Sequence, residues 1–103
     1  IGPYVVTKDE IKDVQNLNLE LKLNGEVMQK GNTQDMIFKV THLVSYLSYF
    51  MTLKPGDIIT TGTPPGVGMG RKPQVFLKDD DEMTLSINSL GEQKQKVISS
   101  KAI

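Results

Sequence analysis

An α+β fold, mainly β, is what this sequence predicts, and three observations carry that expectation. Leu17, Leu19, Leu21 and Leu23 alternate with polar residues, the period of a half-buried strand. Asn24-Gly25 follows, a pair that tolerates the positive φ angles of a type I′ turn, so residues 17–30 read as a β-hairpin. Only residues 40–51 place apolar side chains (Val40, Leu43, Val44, Leu47, Phe50, Met51) at spacings of three and four. A single amphipathic helix lying on the core is therefore expected.

The other elements follow in chain order. Thr7-Lys8-Asp9-Glu10 has capping-box spacing, in which Thr7 accepts from the Glu10 amide and Glu10 reaches back; at most one short helical turn is expected there. Gly31 to Asp35 is a polar connection, with Asp35 expected to cap or bond local amides ahead of a buried Met36-Ile37-Phe38. Lys54-Pro55-Gly56-Asp57 should stop the helix, and residues 57–61 should form a short strand. Val75-Phe76-Leu77 leads to an acidic turn. Alternation at 83–87 and a second run ending in Val97 and Ile98 predict two more strands, joined at Ser89-Leu90-Gly91-Glu92.

The 103 residues amount to one domain. The opening Ile1-Gly2-Pro3-Tyr4-Val5-Val6-Thr7 reads as a strand or loop already under way, so a fragment of a longer chain is expected. Twelve basic and twelve acidic side chains cancel, with three tyrosines and three phenylalanines spread along the chain, leaving no electrostatic footprint for nucleic acid. The absence of cysteine excludes disulfides, thiolate nucleophiles and cysteine-ligated zinc. Residues 42–53 are too short and too polar at Ser45, Ser48 and Thr52 to cross a bilayer, and no amino-terminal signal pattern is present. A cytoplasmic protein, or a mitochondrial one in a eukaryote, with no membrane partner is the expectation.

Residues 59–73, ITTGTPPGVGMGRKP, pack four glycines and three prolines into one loop. Glycine lets backbone N–H groups approach an anion closely, and Pro64-Pro65 hold the loop open when it is empty. Thr61 and Thr63, two apart on an extended segment, would point the same way and could converge on a polar ligand. A phosphate loop would need Lys-Ser or Lys-Thr after its last glycine, and a dinucleotide loop would need GxGxxG opening a helix; neither spacing is present. On composition alone a tight structural turn is the favoured reading, because Gly and Pro are above all turn formers.

Taken in order, several stretches change that balance. They are GP-x-x-V-T at 2–7, Asn16-Leu17, the L-x-L-N-G-E hairpin, Gly31-Asn32-Thr33 with Asp35-Met36-Ile37-Phe38, Tyr46-Leu47-Ser48, and the run from Thr52 to Met83. Together they resemble the carboxy-terminal half of the fumarylacetoacetate hydrolase family, over essentially the whole chain. The KP-x-x-FLK form resembles the branch holding hydroxyheptadienedioate isomerases, acylpyruvases and oxaloacetate decarboxylases. The resemblance implies a mixed β-roll and, for residues 1–103, the carboxy-terminal part of a single catalytic domain. It implies a magnesium or manganese ion and chemistry on small 2-oxo or enol acids: C–C bond hydrolysis, isomerisation or decarboxylation through a stabilised enolate. It also implies a homodimer, to which Tyr46 and Tyr49 could contribute. The family's carboxylate metal ligands, its lysine and its His-Glu pair have no counterpart here and are expected upstream. No catalytic or metal-binding residue is therefore expected in this chain. The second threonine of the TGTP motif falls on Thr63, which would bond the substrate's carboxylate or keto oxygen. Gly62 and Thr61 are weaker substrate-binding candidates, and the end of a strand would equally explain Thr61. The rival outside enzymology is a β module that binds a carboxylate without chemistry.

Two other features invite a site and are read otherwise. His42 has no evident carboxylate or serine partner and is read as a surface residue. Asp79-Asp80-Asp81-Glu82 misses calcium-loop spacing, and where the family usually has a K-x-G-D turn it is read as a solvated turn.

Overall fold

A computed structural model describes residues 1–100. Its frame is a four-stranded antiparallel sheet in the order β2-β1-β3-β4, with β1 Asn18–Leu23, β2 Glu26–Asn32, β3 Glu82–Ile87 and β4 Gly91–Lys96. The hairpin turn has φ 51° at Asn24 and 84° at Gly25, as its sequence predicts. Leu19 faces Ile87, Leu21 faces Leu85 and Leu23 faces Met83. Facing residues on antiparallel strands project to the same side, so these six side chains make one apolar surface.

The ladder between β1 and β2 carries one irregularity. Leu23 pairs with Glu26 and Lys22 with Val27, but Leu21 pairs with Gln29, leaving Met28 as an extra residue on β2. Such a bulge interrupts the ladder and re-aims the residues beyond it. Gln29 consequently joins the leucine side of the sheet, opposite Leu21.

The helix, α1, spans Val40–Ser48 and ends before the predicted Met51. Its chain closes with tight bonds from the Tyr49 amide to the Tyr46 carbonyl at 3.2 Å and from the Phe50 amide to the Leu47 carbonyl at 3.0 Å. Nor does it cover the sheet as expected: Val44, Tyr46 and Phe50 are exposed, and the extensive contacts between elements are strand on strand. The physical reason is that residues 62–77 already lie over the leucines. α1 is instead tethered at its start, where the Val40 amide donates to Gln15 Oε1 at 3.0 Å and Gln15 Nε2 donates to the Thr33 carbonyl. Thr33 Oγ1 in turn accepts from the Leu17 amide at 2.8 Å, joining this knot to the sheet.

Smaller expectations are corrected in the same way. Lys8–Glu10 forms one 3-10 turn, closed by the Glu10 amide on the Thr7 carbonyl at 3.0 Å and not by a side-chain cap. The Thr7 hydroxyl, near the Asp9 carboxylate, instead favours its charged form and holds that carboxyl below its ordinary range. The turn at Thr33–Asp35 is capped by Asn32, whose side-chain oxygen accepts from the Gln34 amide at 2.8 Å, and Asp35 is exposed. Ile37 and Phe38 are exposed too. Residues 57–61 are not a strand, because among the described residues no partner supplies the ladder bonds a strand requires. Ile11, 8% exposed, is the only buried apolar residue among those described.

Candidate functional site

The glycine-rich loop is fastened to the bulge of β2. Gly66, at φ 114°, runs so close to β2 that a Cβ there would collide with the Met28 carbonyl oxygen. Only glycine combines that angle with that approach. Arg71 completes the join, its Nη2 donating to the Met28 carbonyl at 2.6 Å and its Nε to the Gly66 carbonyl at 3.1 Å. A bulge frees a carbonyl from the ladder, and here a guanidinium satisfies it. One turn earlier Pro64 lies against Gly31 of β2, where an added Cβ would sit 2.7 Å from the Pro64 Cβ.

Between loop and sheet lies a cavity of about 160 Å³. Leu19, Leu21, Leu85 and Ile87 form its apolar floor, while Gln29, Gly62, Thr63 and Pro64 lie at its polar rim. Gln29 Nε2 donates to Thr63 Oγ1 at 2.6 Å and to the Pro64 carbonyl at 2.7 Å. The Thr63 hydroxyl itself donates a longer bond to the Pro64 carbonyl at 3.2 Å. Glu20 of β1 lines the cavity too, its carboxylate paired with Lys22 at 3.1 Å, so the uncharged polar groups of the lining are those of the rim.

Of the three residues singled out in the sequence, Gly62 and Thr63 line this cavity and Thr61 does not. Gly62 adopts φ 87°, which breaks the extended alternation that would have aimed both hydroxyls the same way. Gln29 was not legible as a site residue, because the turn register alone would have placed Met28 opposite Leu21.

The acidic turn is solvated, and its carboxylates are occupied. Asp81 accepts from Asn24 Nδ2 and from the Lys78 amide, both at 2.8 Å, and Asp79 accepts from the Ser99 amide at 2.6 Å. Asp80 pairs with Lys96 at 2.7 Å and Glu82 with Lys94 at 2.9 Å. The bond from Asn24, seconded by the Lys78 amide, holds the Asp81 carboxyl below its ordinary value. Among the described residues no group of three or more His, Cys, Asp or Glu is placed to hold a metal ion. The donor set of the described residues thus does not fit a divalent cation. His42 stacks on the exposed surface between Phe38, at 5.0 Å between ring centroids, and Tyr46, at 6.2 Å. No helix among the described residues is long and apolar enough to cross a membrane.

Comparison with known proteins places this geometry in a family. The sequence pattern described as Fumarylacetoacetate (FAA) hydrolase C-terminal matches residues 1–98. The chain is 54% identical over 98 residues to a 2,4-didehydro-3-deoxy-L-rhamnonate hydrolase of Sphingomonas sp. (strain SKA58), covering 94% of this chain and 34% of that protein. It superposes on a fumarylacetoacetate hydrolase from Exiguobacterium antarcticum with a TM-score of 0.91 at 40% identity, covering 96% of this chain and 35% of the other. A maleylpyruvate hydrolase from Sphingobium sp. SYK-6, solved in complex with manganese (II) ion and pyruvate, gives a TM-score of 0.87 at 35% identity, covering 97% of this chain and 35% of that one. The chain thus spans about a third of the length of the relatives it matches. By sequence and by fold, this chain belongs to the fumarylacetoacetate hydrolase family and matches its carboxy-terminal part.

Proposed function

We propose that residues 1–103 are the carboxy-terminal part of a single catalytic domain and that the full-length protein hydrolyses a C–C bond in a small 2-oxo or enol acid of acylpyruvate type. The observation that carries the reading is the pairing of two facts. Gly62 and Thr63 rim a cavity in this chain, and a relative of the same fold is solved with manganese and pyruvate. In this reading the Thr63 hydroxyl donates to a carboxylate or keto oxygen of the acid, with the Gly62 amide beside it. Magnesium or manganese belongs to the reading as the cofactor. Since the described residues offer it no cluster of donors, its ligands would come from the part of the domain outside this chain.

The test is product analysis of the full-length protein with acylpyruvates, oxaloacetate and hydroxyheptadienedioates. Pyruvate and a second carboxylic acid from an acylpyruvate are expected. Decarboxylation of oxaloacetate or isomerisation of the dienedioate, without cleavage, would move the protein to another branch of the family. Oxalate binding that is unaffected by removing the metal, with no turnover of any of these compounds, would favour a carboxylate-binding module instead. We further propose a homodimer whose contact includes Tyr46 and Tyr49, both exposed here.

A further inference from the structure

We infer that Gln29 is a positioning residue that makes the Thr63 hydroxyl a hydrogen-bond donor toward the acid; the inference rests on the reading of Thr63 given above. The Pro64 carbonyl can only accept, so the group of Gln29 that faces it must be the amide nitrogen. That NH₂ carries two hydrogens, and the second points at Thr63 Oγ1. A threonine oxygen that is already accepting directs its own proton elsewhere. Within the loop that proton goes to the Pro64 carbonyl at 3.2 Å, a long bond to an oxygen that also takes the shorter one from Gln29. An acid oxygen entering the cavity is therefore the better partner for the Thr63 proton.

The bulge explains why Gln29 is available. In an unbroken hairpin Met28 would face Leu21 and Gln29 would point to the opposite side of the sheet, away from the loop. The extra residue at Met28 puts Gln29 among the leucines, where its amide lies half-buried and needs partners. Thr63 and Pro64 supply them. The same bulge frees the Met28 carbonyl that Arg71 holds, so one irregularity both anchors the loop and sets its hydroxyl.

The test is a double-mutant cycle on the full-length protein, with oxalate titrated calorimetrically in magnesium-containing buffer. Gln29→Met keeps the length of the side chain and removes its donors, and Thr63→Val removes the hydroxyl. Thr63→Val should weaken oxalate about tenfold and Gln29→Met about threefold to tenfold, with the double variant no weaker than Thr63→Val alone. Losses that multiply in the double variant would overturn the role of Gln29 and leave Thr63 standing. Oxalate binding that is unchanged in Thr63→Val would overturn the reading beneath it, and this inference with it. Should Gln29→Met not fold, the Gln29 side-chain amide resonance of the unsubstituted protein serves in its place. A shift on adding oxalate, lost in Thr63→Val, supports the role; no shift in the unsubstituted protein overturns it.

Discussion

Asp81 shows how far a single exposed carboxylate can tie distant segments together. It accepts from Asn24 in the first hairpin turn, while Asn24 Oδ1 accepts from the Glu82 amide at 2.9 Å at the start of β3. These bonds favour the charged form, so the folded Asp81 titrates below its ordinary value of 3.8. A depressed carboxyl contributes stability that is complete above its unfolded pKa and is lost as pH falls through the folded one. Asp81→Asn should accordingly flatten the acid side of the stability profile below about pH 4, read as urea midpoints against pH beside the unsubstituted protein. An identical acid slope in both would contradict this. The neighbouring Asp80 adopts φ 69°, in the left-handed region that favours glycine. The sequence shows a row of acids here, and only the backbone shows that one of them occupies a glycine's conformation.

Among the elements, the hairpin was legible because Asn24-Gly25 and the leucine alternation state the same register independently. The site was not legible to the same degree. Turn register pairs Leu21 with Met28, and no residue type in Glu26–Asn32 announces the extra residue that brings Gln29 to the leucine side. The helix was read correctly in kind and wrongly in reach and placement, since periodicity reports an apolar stripe but not what covers it. What covers the sheet is the loop, held by Arg71 and by the bare backbone of Gly66. Gly66→Ala would force a left-handed angle on alanine and drive its Cβ into the Met28 carbonyl. A loss of about 2 kcal/mol or more is expected, seen as a lower thermal midpoint of the full-length protein. An unchanged midpoint would mean that the loop is not fixed to the bulge.

At the scale of the whole chain, which spans about a third of the length of its relatives, the interior is thin. Ile11 alone is buried among the described residues, while Phe38, Tyr46, Tyr49 and Phe50 are exposed on and beside α1. Apolar surface of this extent costs free energy in water unless something covers it. If the dimer proposed above uses this surface, Tyr46→Asp with Tyr49→Asp should shift the full-length protein toward monomer in sedimentation velocity; an unaltered dimer would place the contact elsewhere. The family itself was readable from motifs spread along the chain, whereas the substrate was not. Only the loop that would meet the acid lies in these residues, and the groups that would hold a metal do not. The loop is thus where the account stands or falls. Steady-state kinetics of Thr63→Ala in the full-length protein, on whichever acylpyruvate it cleaves, tests it most directly: kcat/KM should fall about tenfold or more, and an unchanged kcat/KM would contradict the role assigned to this loop.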